Sequence, residues 1–471
     1  MKHSSSPQYR GLSRRNFLGQ ASCAAVGSSA LFNTILNLSM TSRASAAIPS
    51  NEYKAMVCLF LAGGNDSFNM LSPLDNSEYN LYKNVRADLA LDGSSPEKTP
   101  LPINAPTSGR TFGIHPGMTG IRDLYTSGEL AFVSNVGTLV RPTTLSDYNS
   151  GSMLPKGLFS HSDQIQQWQT SVPNQRIGKG WGGRTADLLA SLNDSTELSM
   201  NVSLGGLNVF QTGNMVVPYA ISNGGAVTLD GYNGTSPVDV ARTAAVNNQL
   251  DFDYANLFEK TFTNKTKHSK DAAGLFNSAV NNSSLGTSFP NSSLGKDLEM
   301  VAKTIAAHST LGFRRQTFFV LAGGWDHHDE TLENQAAMLP MVSQAVKAFR
   351  DALVNDLNMW DQVTLFQASD FGRTLTSNGK GSDHAWGGNY FVTGGGVEGG
   401  EVYGTYPTMD LAGSGIDTGR GRFIPQVSVD EFNAELGLWF GVDQSNLATV
   451  LPNIREFYPS NATAGPIGFL A

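Results

Sequence analysis

The chain has 471 residues, 50 of them glycine, and a formal net charge of −8 at neutral pH. The acidic balance argues against nucleic acid as a partner, because nucleic-acid binding depends on a basic surface. The glycine content predicts many turns rather than a helical bundle, and the length suits one large domain or two of medium size.

The first residues have the pattern of an export signal. Ser13–Gly19 carries two adjacent arginines, an apolar Ala- and Leu-rich stretch follows, and small residues lie in Arg43–Ala47. We therefore predict a twin-arginine signal peptide over 1–46, recognised by the twin-arginine translocase and cleaved after Ala46, with a periplasmic or secreted mature protein. Gly, Ser and Asn interrupt the apolar stretch, so we expect no permanent membrane anchor.

Removal of that segment takes away five Lys or Arg residues and changes the formal charge from −8 to −13. Acidity of this size aids solubility, and an acidic cluster could also hold cations. Cys58 is then the one cysteine left, which excludes an intramolecular disulfide. Core burial or bound metal must stabilise the fold instead.

Five short apolar segments, each ended by Gly or polar residues, predict buried strands of a mostly parallel sheet. They are Met56–Ala62, Leu130–Val136, Thr317–Ala322, Val363–Ala368 and Tyr390–Val392. Helical patterns between them cover Gly117–Tyr125, Asp163–Thr170, Arg184–Leu192, Gly295–Leu311 and Glu330–Leu357. The alternation predicts an α/β three-layer sandwich with a mostly parallel central sheet and residues 47–471 in a single domain.

The middle of the chain has a different composition. Residues 195–295, approximately, are rich in Gly, Asn, Ser and Lys. We predict a loop-rich insertion or cap there. This segment either shapes a substrate entrance or is a solvent-exposed segment without a functional role, and the sequence favours neither.

Polar, glycine-rich segments follow the predicted strands. GGNDSFN begins at Gly63, GGWDHHDE at Gly323, SDFGRT at Ser369 and GSDHAWGG at Gly381. Ligands of open α/β sheets bind where the carboxyl ends of the strands converge, and carboxylate with imidazole is a usual ligand set for catalytic zinc, manganese or iron. The segments therefore predict a site for one or two divalent metal ions, although any single Asp beside Gly is more often a turn former or helix cap.

Together these motifs resemble an uncharacterised bacterial family, domain of unknown function 1501, whose members often bear twin-arginine signals. The resemblance covers about residues 53–460, and SDFGRT and DHAWGG with the glycines after it are its most specific motifs. That family is similar to the alkaline phosphatase and sulfatase superfamily, which holds one or two metal ions at the carboxyl ends of a parallel sheet. The resemblance implies an alkaline-phosphatase-like fold and an exported metal-dependent hydrolase of phosphate or sulfate esters. Its substrate would be a small anionic ester, and its metal zinc, with manganese, iron or calcium as alternatives.

The resemblance also implies a set of ligands. The implied metal ligands are Asp66, Asp326, His328, Asp370 and His384. The superfamily has Asp-His where this chain has Asp370-Phe371, so one ligand is missing or comes from His161 or His327, or the site holds one metal. The residues expected to face the substrate or to support the ligands are Asn65, His327, Arg373 and Asp383.

The segment Phe159–Gln164 (FSHSDQ) opens a predicted helix and matches a Ser-His motif of the family. Superfamily members place their Ser, Thr or formylglycine nucleophile at a helix N-terminus, where free amides favour an incoming anion. Ser160 and His161 are therefore the expected catalytic residues, with Ser160 or Ser162 as nucleophile and His161 as ligand or base. An N-cap role for the serine is an equal alternative, Ser67 is a third candidate, and a sulfatase-type formylglycine motif is missing from the sequence.

Two other classes of protein fit the same sequence. A non-catalytic relative would keep the fold, with one metal, for binding or for envelope or surface assembly. A redox metalloenzyme would use the same ligand types, although the chain has no strong redox-cofactor motif.

Overall fold

Twelve strands are present in the part of the chain that the computed structural model describes, residues 52–195 and 197–470. In chain order they are β1 (Lys54–Leu61), β2 (Leu71–Pro73), β3 (Leu101–Ala105), β4 (Arg110–Ile114), β5 (Leu130–Gly137), β6 (Asn201–Ser203), β7 (Tyr219–Ala220), β8 (Arg315–Ala322), β9 (Val363–Ser369), β10 (Gly388–Gly394), β11 (Val402–Gly404) and β12 (Val427–Ser428). The predicted signal peptide and its cleavage site lie outside the described residues.

Nine of these strands form the central sheet, in the order β11-β5-β10-β9-β1-β8-β6-β7, with β12 beside β5. Every neighbouring pair is parallel except the two that involve β10. Strands β2, β4 and β3 form a separate small antiparallel sheet. The predicted mostly parallel central sheet is therefore confirmed.

The predicted direction of one strand was wrong. Tyr390–Val392 was expected to be a parallel strand, but it lies in β10, which is antiparallel to both β5 and β9. Residues 370–387, which connect β9 to β10, contain no helix. The chain therefore turns back beside β9 instead of crossing over the sheet, and the next strand runs the opposite way.

The central strands are apolar on both faces. Every residue of β1 after Lys54 is buried, and so is every residue of β9. A continuous apolar run of this kind suits a parallel sheet that helices cover on both sides. Cys58 is part of this buried run and is a free thiol.

Twelve α-helices occur in the described residues. They are α1 (Ser67–Met70), α2 (Asn76–Arg86), α3 (Thr119–Thr126), α4 (Leu145–Ser150), α5 (His161–Thr170), α6 (Trp181–Leu189), α7 (Pro237–Leu250), α8 (Leu257–Asn281), α9 (Ser293–Ala306), α10 (Thr331–Asp351), α11 (Val429–Phe440) and α12 (Leu447–Val450). One group, α3, α9 and α10, packs on the sheet together, and a second group, α5, α6, α11 and α12, packs on it separately. The two groups and the sheet make up the three predicted layers.

The segment expected to be a loop-rich insertion contains more regular structure than its composition indicates. It supplies strand β6, the edge strand β7 and the two helices α7 and α8, the latter 25 residues long. Most side chains of α7 and of the first turns of α8 are exposed. Among the described residues, no helix combines the length and the apolar character that a membrane span requires.

Candidate metal centre

Three adjacent strands end at the same height in the sheet. Leu61 of β1 pairs with Ala322 of β8 on one side and with Ser369 of β9 on the other. The loops that follow these strands therefore emerge side by side. Gly63 has a φ of +125°, and a Cβ at this position would lie 2.5 Å from the backbone nitrogen of Asp326. Glycine is needed here for the loop after β1 to approach the loop after β8 this closely.

Three imidazoles meet above these strand ends. Nε2 of His384 lies 3.0 Å from Nε2 of His161 and 2.9 Å from Nε2 of His328. His161 is the first residue of α5, whereas His328 and His384 lie in the loops after β8 and β9. The fold thus brings together two rings, those of His161 and His384, that are 223 positions apart in the chain.

Asp326 directs a carboxylate to the same point. Its Oδ2 lies 3.5 Å from Nε2 of His161, and its Oδ1 lies 3.1 Å from Nε2 of His328. His161, Asp326 and His384 each offer one ligand atom, and these three atoms lie within 4.8 Å of one another. Two ligands about 2.1 Å from a shared ion can be at most about 4.2 Å apart, so separations of 3.0–3.5 Å fit a common ion.

The second ring nitrogen of His161 and of His384 is held by a fixed acceptor. Nδ1 of His384 donates to the backbone carbonyl of Phe159 at 2.8 Å, and burial lowers the pKa of the His384 imidazole. Nδ1 of His161 lies 2.7 Å from Oδ2 of Asp370, whose Oδ1 accepts the backbone N–H of Gly63 at 2.9 Å. With Nδ1 carrying the proton, each neutral ring has a lone pair at Nε2.

His328 has the same arrangement. Its Nδ1 lies 3.2 Å from Oδ1 of Asp383. Partial burial raises the pKa of Asp383, but hydrogen bonds from Asn378 and Arg420 outweigh it and bring the value down to about 2, so this carboxylate is ionised and accepts the proton of the ring. Three Nε2 atoms therefore converge, and in the tautomer with the proton on Nδ1 their lone pairs cannot hydrogen-bond to one another. A bound cation would satisfy all three, and a metal-bound histidine usually donates its other nitrogen to a carboxylate or carbonyl in this way.

Phe371 follows Asp370 in the loop after β9, where a second ligand was expected to be missing. Its ring is fully buried, and its centroid lies 4.8 Å from that of His161 and 4.7 Å from that of His384. The side chain thus packs against two of the imidazoles and restricts their orientation. His161 lies in the cluster, and its role, or that of His327, as a replacement for the missing histidine stays a prediction.

One of the roles predicted for Arg373 required its side chain to face the substrate, and the structure places it elsewhere. The side chain is fully buried, with Nε donating to the carbonyl of Gly64 at 2.7 Å and Nη1 donating to that of Ser382 at 2.8 Å. Nη2 contacts the carboxylate of Asp326. Partial burial raises the pKa of Asp326, but Arg373 outweighs it, and the pKa is below its ordinary value. The guanidinium therefore fastens the loops after β1, β8 and β9 to one another.

Asp66 has different partners from those predicted for a first metal ligand. Its Oδ2 accepts a hydrogen bond from Arg86 at 2.7 Å and one from the hydroxyl of Ser382 at 2.9 Å. Both charged side chains of the pair have no exposed area. The ligand atoms that cluster belong to His161, Asp326 and His384, without Asp66. The structure makes Asp66 the anion of a buried ion pair, because Arg86 reaches it from the end of α2.

Three further predicted residues support the cluster or lie behind it. Both oxygens of Asp370 have partners, one of them Nδ1 of His161, so Asp370 lies behind a ligand rather than among the ligands. The Asn65 side chain is buried and contacts Met70 and Gln335 rather than the open face of the site. The His327 ring is buried beside Trp325, and burial lowers its pKa.

The sequence was also compared with protein families. Residues 53–451 match the model of the family described as protein of unknown function, DUF1501. The chain belongs to the DUF1501 family. The matched range contains every residue of the metal cluster and its supporting shell. No protein of curated function is detectably similar in sequence to this DUF1501 chain.

A comparison with solved structures found three matches of low sequence identity. The soluble domain of lipooligosaccharide phosphoethanolamine transferase A from Neisseria meningitidis is 8% identical, with a TM-score of 0.33 and coverage of 86% of this chain and 94% of the other. The lipoteichoic acid synthase LtaP from Listeria monocytogenes is 9% identical, with a TM-score of 0.30 and coverage of 82% and 79%. Ps i-CgsB, solved with k-i-k-neocarrahexaose, is 12% identical, with a TM-score of 0.32 and coverage of 86% and 78%.

The serines of the DUF1501 chain that were considered as nucleophiles differ in their surroundings. Ser160 is the N-cap residue of α5, yet its side chain makes no capping hydrogen bond, and its Oγ lies 3.2 Å from Oγ of the exposed Ser162. Ser67 is buried, and its Oγ accepts the backbone N–H of Asn389 at 2.9 Å. Ser160 and Ser162 therefore have accessible hydroxyls beside His161, and Ser67 does not.

Proposed function

We propose that the protein is an exported, metal-dependent hydrolase of phosphate or sulfate esters, with the metal held by His161, Asp326 and His384 and with His328 as a fourth donor. The observation that carries the proposal is the convergence of three Nε2 atoms and one carboxylate, while each Nδ1 lies within hydrogen-bond distance of an acceptor oxygen. Imidazole nitrogens with one carboxylate suit zinc, manganese or iron. Calcium, which prefers oxygen ligands, fits them less well.

The charges around the cluster support one ion rather than two. Asp66, a candidate ligand for a second ion, is already neutralised by Arg86. Besides the proposed metal ion, Asp326 has a cationic partner in Arg373. The Arg373 guanidinium, in contact with Asp326, opposes a second divalent cation beside that carboxylate by like-charge repulsion. We therefore expect one metal ion per chain.

The chemistry follows from what the chain places around the cluster. A bound divalent metal would polarise the oxygens of the phosphoryl or sulfuryl group. Ser160, at the N-terminus of α5, would attack the phosphorus or sulfur atom with loss of its proton to solvent, and the ester bond would break as the leaving alkoxide takes a proton from water to become the alcohol. Water would then release the serine and the inorganic anion. In this proposal His161 is a metal ligand and not a base, because both of its ring nitrogens are engaged.

The experiment uses purified mature protein loaded with zinc or manganese and assayed on 4-nitrophenyl phosphate and 4-nitrophenyl sulfate. Ser160→Ala should abolish turnover without changing the metal content, whereas Ser162→Ala should retain most of the activity. Ser162 is the matched control because its hydroxyl lies on the same helix turn. If Ser162→Ala loses activity and Ser160→Ala does not, Ser162 rather than Ser160 is the nucleophile.

A binding or assembly role without catalysis is the second candidate. The observation in its favour is a set of exposed apolar side chains near the start of α8, where Leu257 is 74%, Phe258 85% and Phe262 72% exposed. Contiguous exposed apolar surface on a monomer often marks an interaction site. A metal-loaded protein that is inactive on both ester classes would favour this candidate over the hydrolase.

A further inference from the structure

The residue that precedes α5 has an uncommon backbone conformation beside the metal cluster. Phe159 has a φ of +71°, in the left-handed region that residues other than glycine rarely adopt. This conformation costs free energy, so contacts with the rest of the protein must maintain it. Phe159 is also the residue whose carbonyl accepts a hydrogen bond from Nδ1 of His384 at 2.8 Å. The uncommon conformation therefore lies one hydrogen bond away from a candidate ligand.

The side chain of Gln164 holds Phe159 from within α5. Its Oε1 accepts the backbone N–H of Phe159 at 2.6 Å. A backbone N–H can only donate, so the amide group must present its oxygen here. Gln164 is 1% exposed, which limits competition from water for this hydrogen bond. The first turn of α5 thus fixes the residue before its own N-cap, Ser160.

The ring of Phe159 is fixed as well. It packs against a buried apolar cluster formed by Leu139, Trp386 and Ile424. The guanidinium carbon of Arg422 lies 5.3 Å from the ring centroid, within the range of a cation–π contact. Nε of Arg422 also donates to the backbone carbonyl of His384 at 3.0 Å. With its ring and its N–H both held, Phe159 presents its carbonyl to His384 in one fixed direction.

Three consecutive residues of this segment contribute to the site in different ways. The Phe159 carbonyl binds the ring of His384, Ser160 is the proposed nucleophile, and His161 directs Nε2 to the cluster. The φ and ψ angles of Phe159 set the direction in which the chain enters α5. If Phe159 left the left-handed region, its carbonyl would turn relative to both imidazoles. The hydrogen bond to Gln164 therefore controls which acceptor Nδ1 of His384 meets.

We propose that Gln164 is a positioning residue of the metal centre. It keeps Phe159 in the left-handed conformation, so that the Phe159 carbonyl holds the proton of His384 on Nδ1 and leaves the lone pair of Nε2 for the metal. This inference rests on the proposed metal site and goes beyond it, because Gln164 acts through a backbone carbonyl and not as a ligand. Loss of the Gln164 acceptor frees Phe159 to relax and the His384 ring to change its tautomer.

The first test measures the tautomer and needs neither metal nor catalysis. Proton–nitrogen NMR of metal-free protein labelled with ¹⁵N-histidine is recorded at a pH where free histidine is neutral, and the His384 signals are assigned by their loss in His384→Asn. Wild type should show His384 protonated at Nδ1. Gln164→Leu, which has no acceptor, should show a mixture of the two tautomers. Gln164→Glu keeps an acceptor oxygen and should match wild type.

Gln167→Leu is the matched control. Gln167 lies on the next turn of the same helix, is 3% exposed and donates from Nε2 to the carbonyl of Lys156 at 2.6 Å. It therefore anchors the same preceding segment through the same kind of contact, but at a residue that does not touch His384. Gln167→Leu should leave the His384 tautomer unchanged.

The second test measures zinc affinity by competition with a chromogenic chelator. Gln164→Leu should weaken it about tenfold, the lower end of the range for loss of support behind a metal-bound histidine. Gln164→Glu and Gln167→Leu should keep the wild-type affinity. Zinc affinity that is unchanged in Gln164→Leu, or lowered equally in Gln164→Leu and Gln167→Leu, would overturn the inference while the metal site stands.

Wild type alone provides a further check that does not depend on the folding of any Gln164 variant. A His384 ring protonated at Nε2 in wild type would overturn the inference, because the Phe159 carbonyl would then not hold the proton. If wild type binds no zinc but the tautomers behave as described, the proposed metal site fails, and the control of the His384 ring by Gln164 remains.

Discussion

Oδ2 of Asp370 lies 2.7 Å from Nδ1 of His161, and Asp370 is fully buried while His161 opens to solvent. The carboxylate sits at the end of β9 and the ring at the start of α5, so this contact fixes the orientation of a residue from another layer of the fold. A carboxylate that holds the outer nitrogen of a histidine directs the inner nitrogen toward a metal.

The first prediction concerns this contact. Asp370→Asn should weaken the affinity for the metal about 10- to 100-fold, because an amide holds the imidazole less firmly and makes it a poorer donor. Competition with a chromogenic chelator measures the change. Asp329→Asn is the control: Asp329 follows the same strand as Asp326 but is 65% exposed and contacts none of the three imidazoles. An unchanged affinity in Asp370→Asn would show that the carboxylate has no supporting role.

A second prediction concerns the buried ion pair of Asp66 and Arg86. Arg86→Met should lower the free energy of unfolding by about 3–5 kcal/mol, because it leaves the Asp66 carboxylate without a cationic partner. Arg86 also donates to the carbonyls of Thr374 and Leu375. Because these hydrogen bonds are lost as well, the decrease in the free energy of unfolding should not be smaller than this range. Urea denaturation measures it.

The matched control for that substitution is Arg242→Met. Arg242 forms an ion pair with Asp239 at 3.1 Å, but its side chain is 46% exposed, and exposed pairs contribute about 0–1 kcal/mol. The double variant Asp66→Asn, Arg86→Met should recover part of the stability lost in Arg86→Met. Equal effects of Arg86→Met and Arg242→Met would contradict the account of the buried pair.

The third prediction concerns stability at low pH. Burial lowers the pKa of His115 from 6.5 to about 4. Below pH 6.5 the unfolded chain gains a proton at His115 that the folded chain does not accept until about pH 4, so the free energy of unfolding falls over this window. At pH 4 this residue lowers the free energy of unfolding by about 3 kcal/mol. Above pH 6.5 it has no effect.

His115→Asn isolates this contribution, because an asparagine oxygen can also accept the backbone N–H of Gly117 that His115 accepts at 3.1 Å. The variant should lose less stability than wild type between pH 6.5 and 4, as measured by denaturation at a series of pH values. His268→Asn is the control, since His268 is exposed on α8. Parallel stability curves for wild type and His115→Asn would refute the assignment.

The apolar runs of the sequence were enough to locate the strands that carry the site. β1 and β9 are buried along almost their whole length, and the predicted segments of β1, β8 and β9 are predominantly apolar and are followed by glycine or polar residues. The direction of β10 could not be read from its sequence, because side-chain alternation is the same for both directions. Helix α11 was missed, although Ser428 and Glu431 form a capping box that a closer reading of the sequence would have identified.

The site was predicted in outline but not in its details. The motifs after the strands indicated the cluster of Asp326, His328 and His384. The ion pair between Asp66 and Arg86 could not be foreseen, because nothing local in the sequence marks a partner 20 positions away on another helix. The same is true of the Phe159 carbonyl that fixes His384, because a backbone acceptor has no residue signature.

The most direct test of the central claim is the metal content of purified protein by plasma mass spectrometry, after loading with zinc and removal of excess ions. The account predicts one ion per chain in wild type, loss of that ion in His384→Ala and in Asp326→Asn, and retention in Asp66→Asn and in the surface control His268→Ala. Wild type without bound metal, or a metal lost in Asp66→Asn and kept in His384→Ala, would contradict it.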